Sequence, residues 1–461
     1  VTTYQSTVDL QGPQDMLSFC FMVKRCAVWL LSEVKQPRGY AKMSQKITPA
    51  EADILASIVP NQQMLTMQLR DWSAINTHSA NLDGLAYFAD AMRDAFAALP
   101  GTVEQCAPST IQAVTATGEM AHVAYGQNLY LQVRPQAPVQ VLLTGHMDTV
   151  FPVSSAFQSS VWLDDATLNG PGVADMKGGL LVMLTALQAL EQAPYSANLG
   201  YQIVLNSDEE VSSLGSAALL QESAAKAHIG LVYEPSALPD GTLAGARKGI
   251  GTYAVVARGR SAHAGRNPEE GRNAVAAVAD FFVRAYALNG KRDGLTINVA
   301  RVEGGSATNV VPALAVGRFE ARVWIHEDRH WMEEALQSIR SEIAREYDLV
   351  LELHGAFNRP PKPMDSSTAA LFAAVRLCGQ ELGMKIDWRS SGGCCDGNNL
   401  SAVGLPVVDT LGVRGGAIHS PQEYMIADSL VERAQLSALL LMRLASKSII
   451  VPPRIPGGSH V

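Results

Sequence analysis

Apolar residues recur at helical spacing through SANLDGLAYFADAMRDAFAAL, which places Leu82, Leu85, Phe88, Met92 and Phe96 on one face. Further along, short apolar runs alternate with helical stretches. VQVLLTG (139–145) reads as a buried strand, and GGLLVMLTALQALEQ as a helix opened by glycines. GYQIVLNS reads as a second strand, LGSAALLQESAAKA as a helix and HIGLVYEP as a third strand. Upstream, AHVAYGQNLYLQVR alternates and breaks at Gly126, the pattern of a hairpin. Strands separated by helices imply right-handed crossovers and a mostly parallel sheet with helices on both faces.

Near Gly249 the pattern changes. GIGTYAVVARGRS, LTINVARVEGG, LAVGRFEARVWI and LVLELHG alternate as strands, with two helical stretches among them. The order is β-α-β-β-α-β, a ferredoxin-like unit. NRPPKP (358–363) marks the return to the first domain. After it come a helix, a Gly-rich loop (SSGGCCDGNNLSAVG), the strand LPVVDTLG and a last helix. The predicted division is an N-terminal extension at 1–58 and a catalytic domain at 59–247 and 359–450. An inserted unit spans 248–358, and a short tail spans 451–461.

Composition narrows the classes. With 461 residues, 47% of them hydrophobic and 17% charged, the chain is expected to bury a large core in two or three domains. The net charge is −8 and no long Lys/Arg run occurs, which argues against a nucleic-acid partner. FCFMVKRCAVWLL (19–31) is interrupted by Lys24 and Arg25. It predicts neither a membrane span nor a signal peptide, and the expected location is cytoplasmic. The six cysteines have no framework spacing and fit a reducing compartment or incidental buried residues.

The chemistry lies at the strand ends. His146 and Asp148 follow VQVLLTG, and Asp175 sits in a Gly-rich loop before a helix. Asp208, Glu209 and Glu210 end YQIVL and its polar tail. Glu234 ends LVYE, and His419 follows the strand LPVVDTLG. Open α/β sheets place their sites at this carboxyl edge. Two histidines with carboxylates and no cysteine suit a catalytic zinc or a similar first-row ion. His146, Asp175, Glu210, Glu234 and His419 are enough for a pair of ions sharing one carboxylate. GIGTYA (249–254) matches GxGxxA, but it opens a strand instead of joining a strand to a helix, so it is no dinucleotide motif.

GHMDTVFP, GPGVADMKGG, NSDEEVSSLGS, YEPS, GRSAHAG and HSPQEY occur in this order. Together they resemble the M20 family of di-zinc metallopeptidases, most closely its glutamate carboxypeptidases. The resemblance implies a zinc-exopeptidase fold whose inserted unit is a lid and dimerisation domain. It also implies two divalent ions per chain, most readily Zn2+, with Co2+ or Mn2+ as alternatives. Asp175 would bridge the ions, which leaves open which carboxylate accompanies which histidine. Asp148 would orient His146 through its free N–H. Glu209 would be the general base acting on a metal-bridging water, while Asp208 is expected in a solvated turn. His263 would stabilise the oxyanion, from the partner subunit in a homodimer. Asn309, Arg322, Gly392 and Gly393 would contact the substrate. Cys394 and Cys395 stand where relatives usually carry small residues. A non-proline cis peptide is expected after Asp175.

The activity so implied is hydrolysis of an amide next to a free carboxylate, with release of a C-terminal amino acid such as glutamate. An N-acyl-amino-acid deacylase is the alternative, and a non-catalytic binding protein on the same fold is a third reading. The expected partner is a small peptide or N-acyl amino acid.

Overall fold

The strand Val139–His146 is buried at every position, which demands cover on both of its faces. Leu199–Asn206 and Ile229–Val232 flank it, both parallel to it. Val407–Val408 extends the sheet in parallel beyond Ile229–Val232. Asn128–Val133 and then Glu104–Cys106 continue it antiparallel at the opposite edge. The result is a mostly parallel six-stranded sheet. The computed structural model describes residues 46–454; the stretch 19–31 with Cys20 and Cys26, the rest of 1–45, and 455–461 lie outside the described residues.

Successive strand residues face opposite sides, and each side has its own helices. Leu142 and Val204 pack with Leu220 and Ala224 of helix Ala217–Ala225 and with Leu400 of helix Asp396–Ala402. The other face meets helix Lys177–Glu191, with Ser429–Ala445 packed against that helix in turn. Two glycines permit this approach. A Cβ at Gly145 would lie 2.6 Å from Leu180 Cδ2, and one at Gly179 would lie 1.9 Å from the Tyr233 carbonyl oxygen. Both contacts sit one residue before a polar strand end, His146 and Glu234.

The inserted unit has the ferredoxin-like strand arrangement. Thr296–Gly304, Leu314–Val323, Gly249–Arg258 and Val350–Arg359 lie side by side in that order, all antiparallel. Helices Ala274–Tyr286 and His326–Glu346 contribute Phe281, Met332 and Leu336 to a core with Phe319. The opposite face of this sheet, with Ala254, Val256 and Val316, receives Val114.

Three local expectations change. Met120–Val123 does not pair with Asn128–Val133; it pairs with Ile111–Val114, and Asn128–Val133 joins the central sheet. The reversing turn is at Thr115–Glu119, where Gly118 takes φ 75°. The Gly-rich stretch after residue 389 is not all loop. It holds the end of strand Trp388–Ser391 and the helix Asp396–Ala402, entered through a hydrogen bond from Cys395 N–H to Asn398 Oδ1 (3.2 Å). The folded body also starts before residue 58. Helix Pro49–Ile58 opens with a capping box of Thr48 and Glu51. Its Leu55 carbonyl accepts from Gln435 Nε2 at 2.9 Å, and Glu51 lies 3.3 Å from Arg443. Among the described residues, no helix is long and apolar enough to cross a membrane.

Candidate metal centre and active site

His146 Nε2 lies 3.1 Å from Asp175 Oδ1 and 3.7 Å from Glu234 Oε1. His419 Nε2 lies 3.3 Å from Asp175 Oδ2 and 3.2 Å from Glu210 Oε2. The two oxygens of Asp175 therefore face two imidazoles, and each imidazole has a carboxylate of its own. By distance, His146 lies beside Glu234 and His419 beside Glu210. His146, Asp175 and Glu210 bring donor atoms within 4.8 Å of one another, and so do His146, Glu209 and Glu234.

Each side chain is held by its local backbone. His419 takes φ 62° in the left-handed region, in a loop where Ala417 does the same at 53°. Asp175 lies in a loop gripped by Glu423, which sequence reasoning missed. The buried Glu423 carboxylate accepts the N–H groups of Gly172 (3.2 Å), Ala174 (2.9 Å) and Asp175 (3.0 Å). The peptide bond Asp175–Met176 is cis, as the resemblance implied. Asp148 spans the next two residues of the site: Glu209 N–H donates to its Oδ1 and Glu210 N–H to its Oδ2, both at 3.1 Å. Ser79 Oγ donates to the same Oδ2 at 2.7 Å. His146 Nδ1 is 3.0 Å from the Asp148 carbonyl and 3.4 Å from its Oδ1, so carbonyl and carboxylate both face that nitrogen.

Asp208 is not solvated. It is buried, and it accepts from Gly215 N–H (2.6 Å), Ser216 N–H (3.3 Å) and Ser216 Oγ (2.6 Å). Its carboxylate closes the turn that carries Glu209 and Glu210.

The remaining carboxylates of the site are crowded together. Burial pushes Glu209 up to about 7, against the pull of Arg359, whose Nη2 is 2.9 Å from its Oε1. Burial and then Asp175 push Glu210 up to about 8, and the same two causes raise Glu234. Hydrogen bonds to Asp175 and Glu210 raise His419 to about 11. For Asp175 burial is outweighed by the two histidines, which hold it low. Two imidazoles and several buried carboxylates form a donor set that suits divalent first-row ions.

A cavity of about 490 Å³ adjoins this cluster. Glu209, Glu210, Glu234 and His419 line it, together with Arg247, Thr410, Cys394 and Cys395. Cys394 Sγ donates to the Lys248 carbonyl at 2.9 Å, and Cys395 Sγ lies 3.6 Å from Asp409 Oδ2. Arg322 reaches the catalytic side, where its Nη1 donates to the Gly392 carbonyl at 2.8 Å. Gly393 N–H donates to Ser391 Oγ at 3.1 Å. His263 and Asn309 are neighbours on the inserted unit, joined through the Ala264 N–H to Asn309 carbonyl bond (2.9 Å). Both are exposed, and neither lines the cavity.

The model of peptidase family M20/M25/M40 matches residues 142–443. This chain belongs to that family. Carboxypeptidase G2 of Pseudomonas sp. (strain RS-16) is 29% identical over 334 residues, 71% of this chain and 79% of its own length. Among solved structures, a tripeptidase from Staphylococcus aureus shares the fold at TM-score 0.66 and 24% identity. It covers 84% of this chain and 99% of its own. A dinuclear metal binding M20 peptidase from Bacillus subtilis has TM-score 0.57 and 15% identity, over 84% and 98% of the two chains. As an M20 peptidase the protein is a metal-dependent hydrolase, and the His–carboxylate cluster is where metal could bind.

Proposed function

We propose that this M20 peptidase is a di-metal exopeptidase that cleaves an amide bond next to a free carboxylate and releases a C-terminal amino acid such as glutamate. The observation that carries this reading is Asp175, shared between a His146–Glu234 pair and a His419–Glu210 pair beside a cavity. These five residues would hold two divalent ions, Zn2+ first, with Co2+ or Mn2+ accepted by the same donors. When bound, the ions supply an activated water and positive charge for the scissile carbonyl. Glu209 is the general base. It takes a proton on its carboxylate and returns it to the leaving amine. Asp148 fixes the main chain of Glu209 and faces Nδ1 of His146. Arg322, on the strand Leu314–Val323, grips the substrate carboxylate, with Asn309, Gly392 and Gly393 as further contacts. His263 of the partner subunit donates to the developing oxyanion in a homodimer.

The test combines metal analysis with a release assay on C-terminal glutamyl peptides, folate-like glutamates and N-acyl amino acids. About two ions per chain and loss of hydrolysis on chelation are expected. Release of a C-terminal amino acid from the peptides is expected too. Full activity in a metal-free sample would exclude the reading. Cleavage confined to N-acyl amino acids would replace it with a deacylase.

A further inference from the structure

Arg359 is the last residue of the strand Val350–Arg359 that closes the inserted unit, and it is only 6% exposed. Its Nη2 donates to the Glu209 carbonyl (2.7 Å) and to Ser213 Oγ (2.8 Å), and lies 2.9 Å from Glu209 Oε1. One nitrogen thus touches both the main chain and the side chain of the same glutamate. Asp396 Oδ1 is 3.6 Å away and balances part of the charge. Glu209 lines the cavity and Arg359 does not.

The backbone behind this contact is fixed. Pro360 and Pro361 follow Arg359. Then Lys362 and Arg247, on the two segments that cross between the units, exchange backbone hydrogen bonds of 2.9 and 3.0 Å. Lys362 Nζ is itself anchored to the Gly245 carbonyl at 2.8 Å and lies 3.2 Å from Asp409 Oδ2. The guanidinium is therefore presented from a clamped crossing.

Glu209 has a competing option. Its carboxylate comes within 4.8 Å of donor atoms of His146 and Glu234, a trio able to hold an ion without Arg359. A carboxylate drawn into such a trio becomes a weaker base, because the cation competes with the proton for its charge. We propose that Arg359 is a positioning residue whose grip on Oε1 keeps Glu209 out of the ligand set and free for proton transfer. This inference rests on the di-metal hydrolase reading above. Lysine could reach the carboxylate, but its flexible ammonium is less fixed in direction than the Nη2 of a planar guanidinium, which here meets carbonyl, hydroxyl and carboxylate together.

The experiment uses the full chain loaded with Co2+, read by visible absorption and by kcat and KM. In Arg359→Ala, Glu209 should join the ions. The Co2+ bands should then shift and weaken, and kcat should fall by about 10–100-fold with little change in KM. Added guanidinium ion should restore part of both signals. Arg359→Lys, which retains a cation and tests the case where the alanine variant fails to fold, should give intermediate bands and intermediate kcat. In the double variant Arg359→Ala/Glu209→Gln, the bands should return to the parental form, because a glutamine side chain is a poor ligand. A folded Arg359→Ala or Arg359→Lys variant with parental bands overturns the proposal. So does a band shift that persists in the double variant, where the competing carboxylate is gone. A parent protein that hydrolyses nothing in the release panel would instead end the proposed function, and the spectra would still decide the role of Arg359.

Discussion

Glu209 and Glu210 are chain neighbours with the same functional group, and their surroundings divide them. Glu210 is 3.2 Å from His419, while Glu209 is held by Arg359. Glu209→Gln should cut turnover by about 10²-fold or more while metal content stays at the parental level. Glu210→Gln should weaken metal binding instead, by about 10-fold or more. Metal analysis alongside kcat checks both, and equal loss of metal in the two variants would refute the division of roles. Glu423 is the next test. Glu423→Ala leaves three buried N–H groups of the Asp175 loop without their acceptor, so metal affinity should fall by about 10–100-fold in a metal titration. An unchanged titration would mean that the loop holds its shape unaided. His146 and Glu234 were legible in the sequence as candidates because each closes an apolar run, and the Glu209–Glu210 pair because it follows one; Asp175 and His419 lie in loops and were legible through their motifs. Glu423 and Asp208 were not, because their partners are mainly backbone N–H groups, which leave no side-chain signature. For Glu423 those partners also lie about 250 residues away in the chain.

Among the elements, apolar runs revealed the buried strands and the helices between them, since burial on both faces leaves no other composition. Pairing was less legible. The alternation before Gly126 carries no label for its partner strand, and the hairpin it suggested is divided between two sheets. NRPPKP was legible only as a boundary, yet its two cations have structural roles inside the body. Arg359 holds Glu209, and Lys362 shares one carboxylate, Asp409, with Arg247. Asp409 and Lys362 are both fully buried. Removing that carboxylate would leave two buried cations uncompensated. Asp409→Asn should therefore cost about 3–5 kcal/mol in urea unfolding. Adding Lys362→Met should recover part of that loss, because one cation then leaves with the anion. A neutral effect of Asp409→Asn would show that the crossing is held by its backbone bonds alone.

At the scale of the whole molecule, one chain does not bring all of the proposed site residues together. The candidate ligands and Glu209 converge on the catalytic body, but His263 and Asn309 sit exposed on the inserted unit, away from the cavity lining. Arg322 alone among the inserted-unit candidates reaches across, to the Gly392 carbonyl. If His263 serves the cavity of a partner subunit, a homodimer has two composite sites. Each takes its base from one chain and its oxyanion donor from the other. His263→Ala should then lower turnover by about 10²–10³-fold without loss of metal. Mixing His263→Ala with Glu209→Gln, each nearly inactive alone, provides the test. A two-fold heterodimer would carry both defects in one site and neither in the other, so activity should return in part as subunits exchange. Heterodimers verified by differential tagging that show no recovered activity would place His263 in its own subunit's site or outside the reaction. The inserted unit would then act by closing over its own chain's cavity.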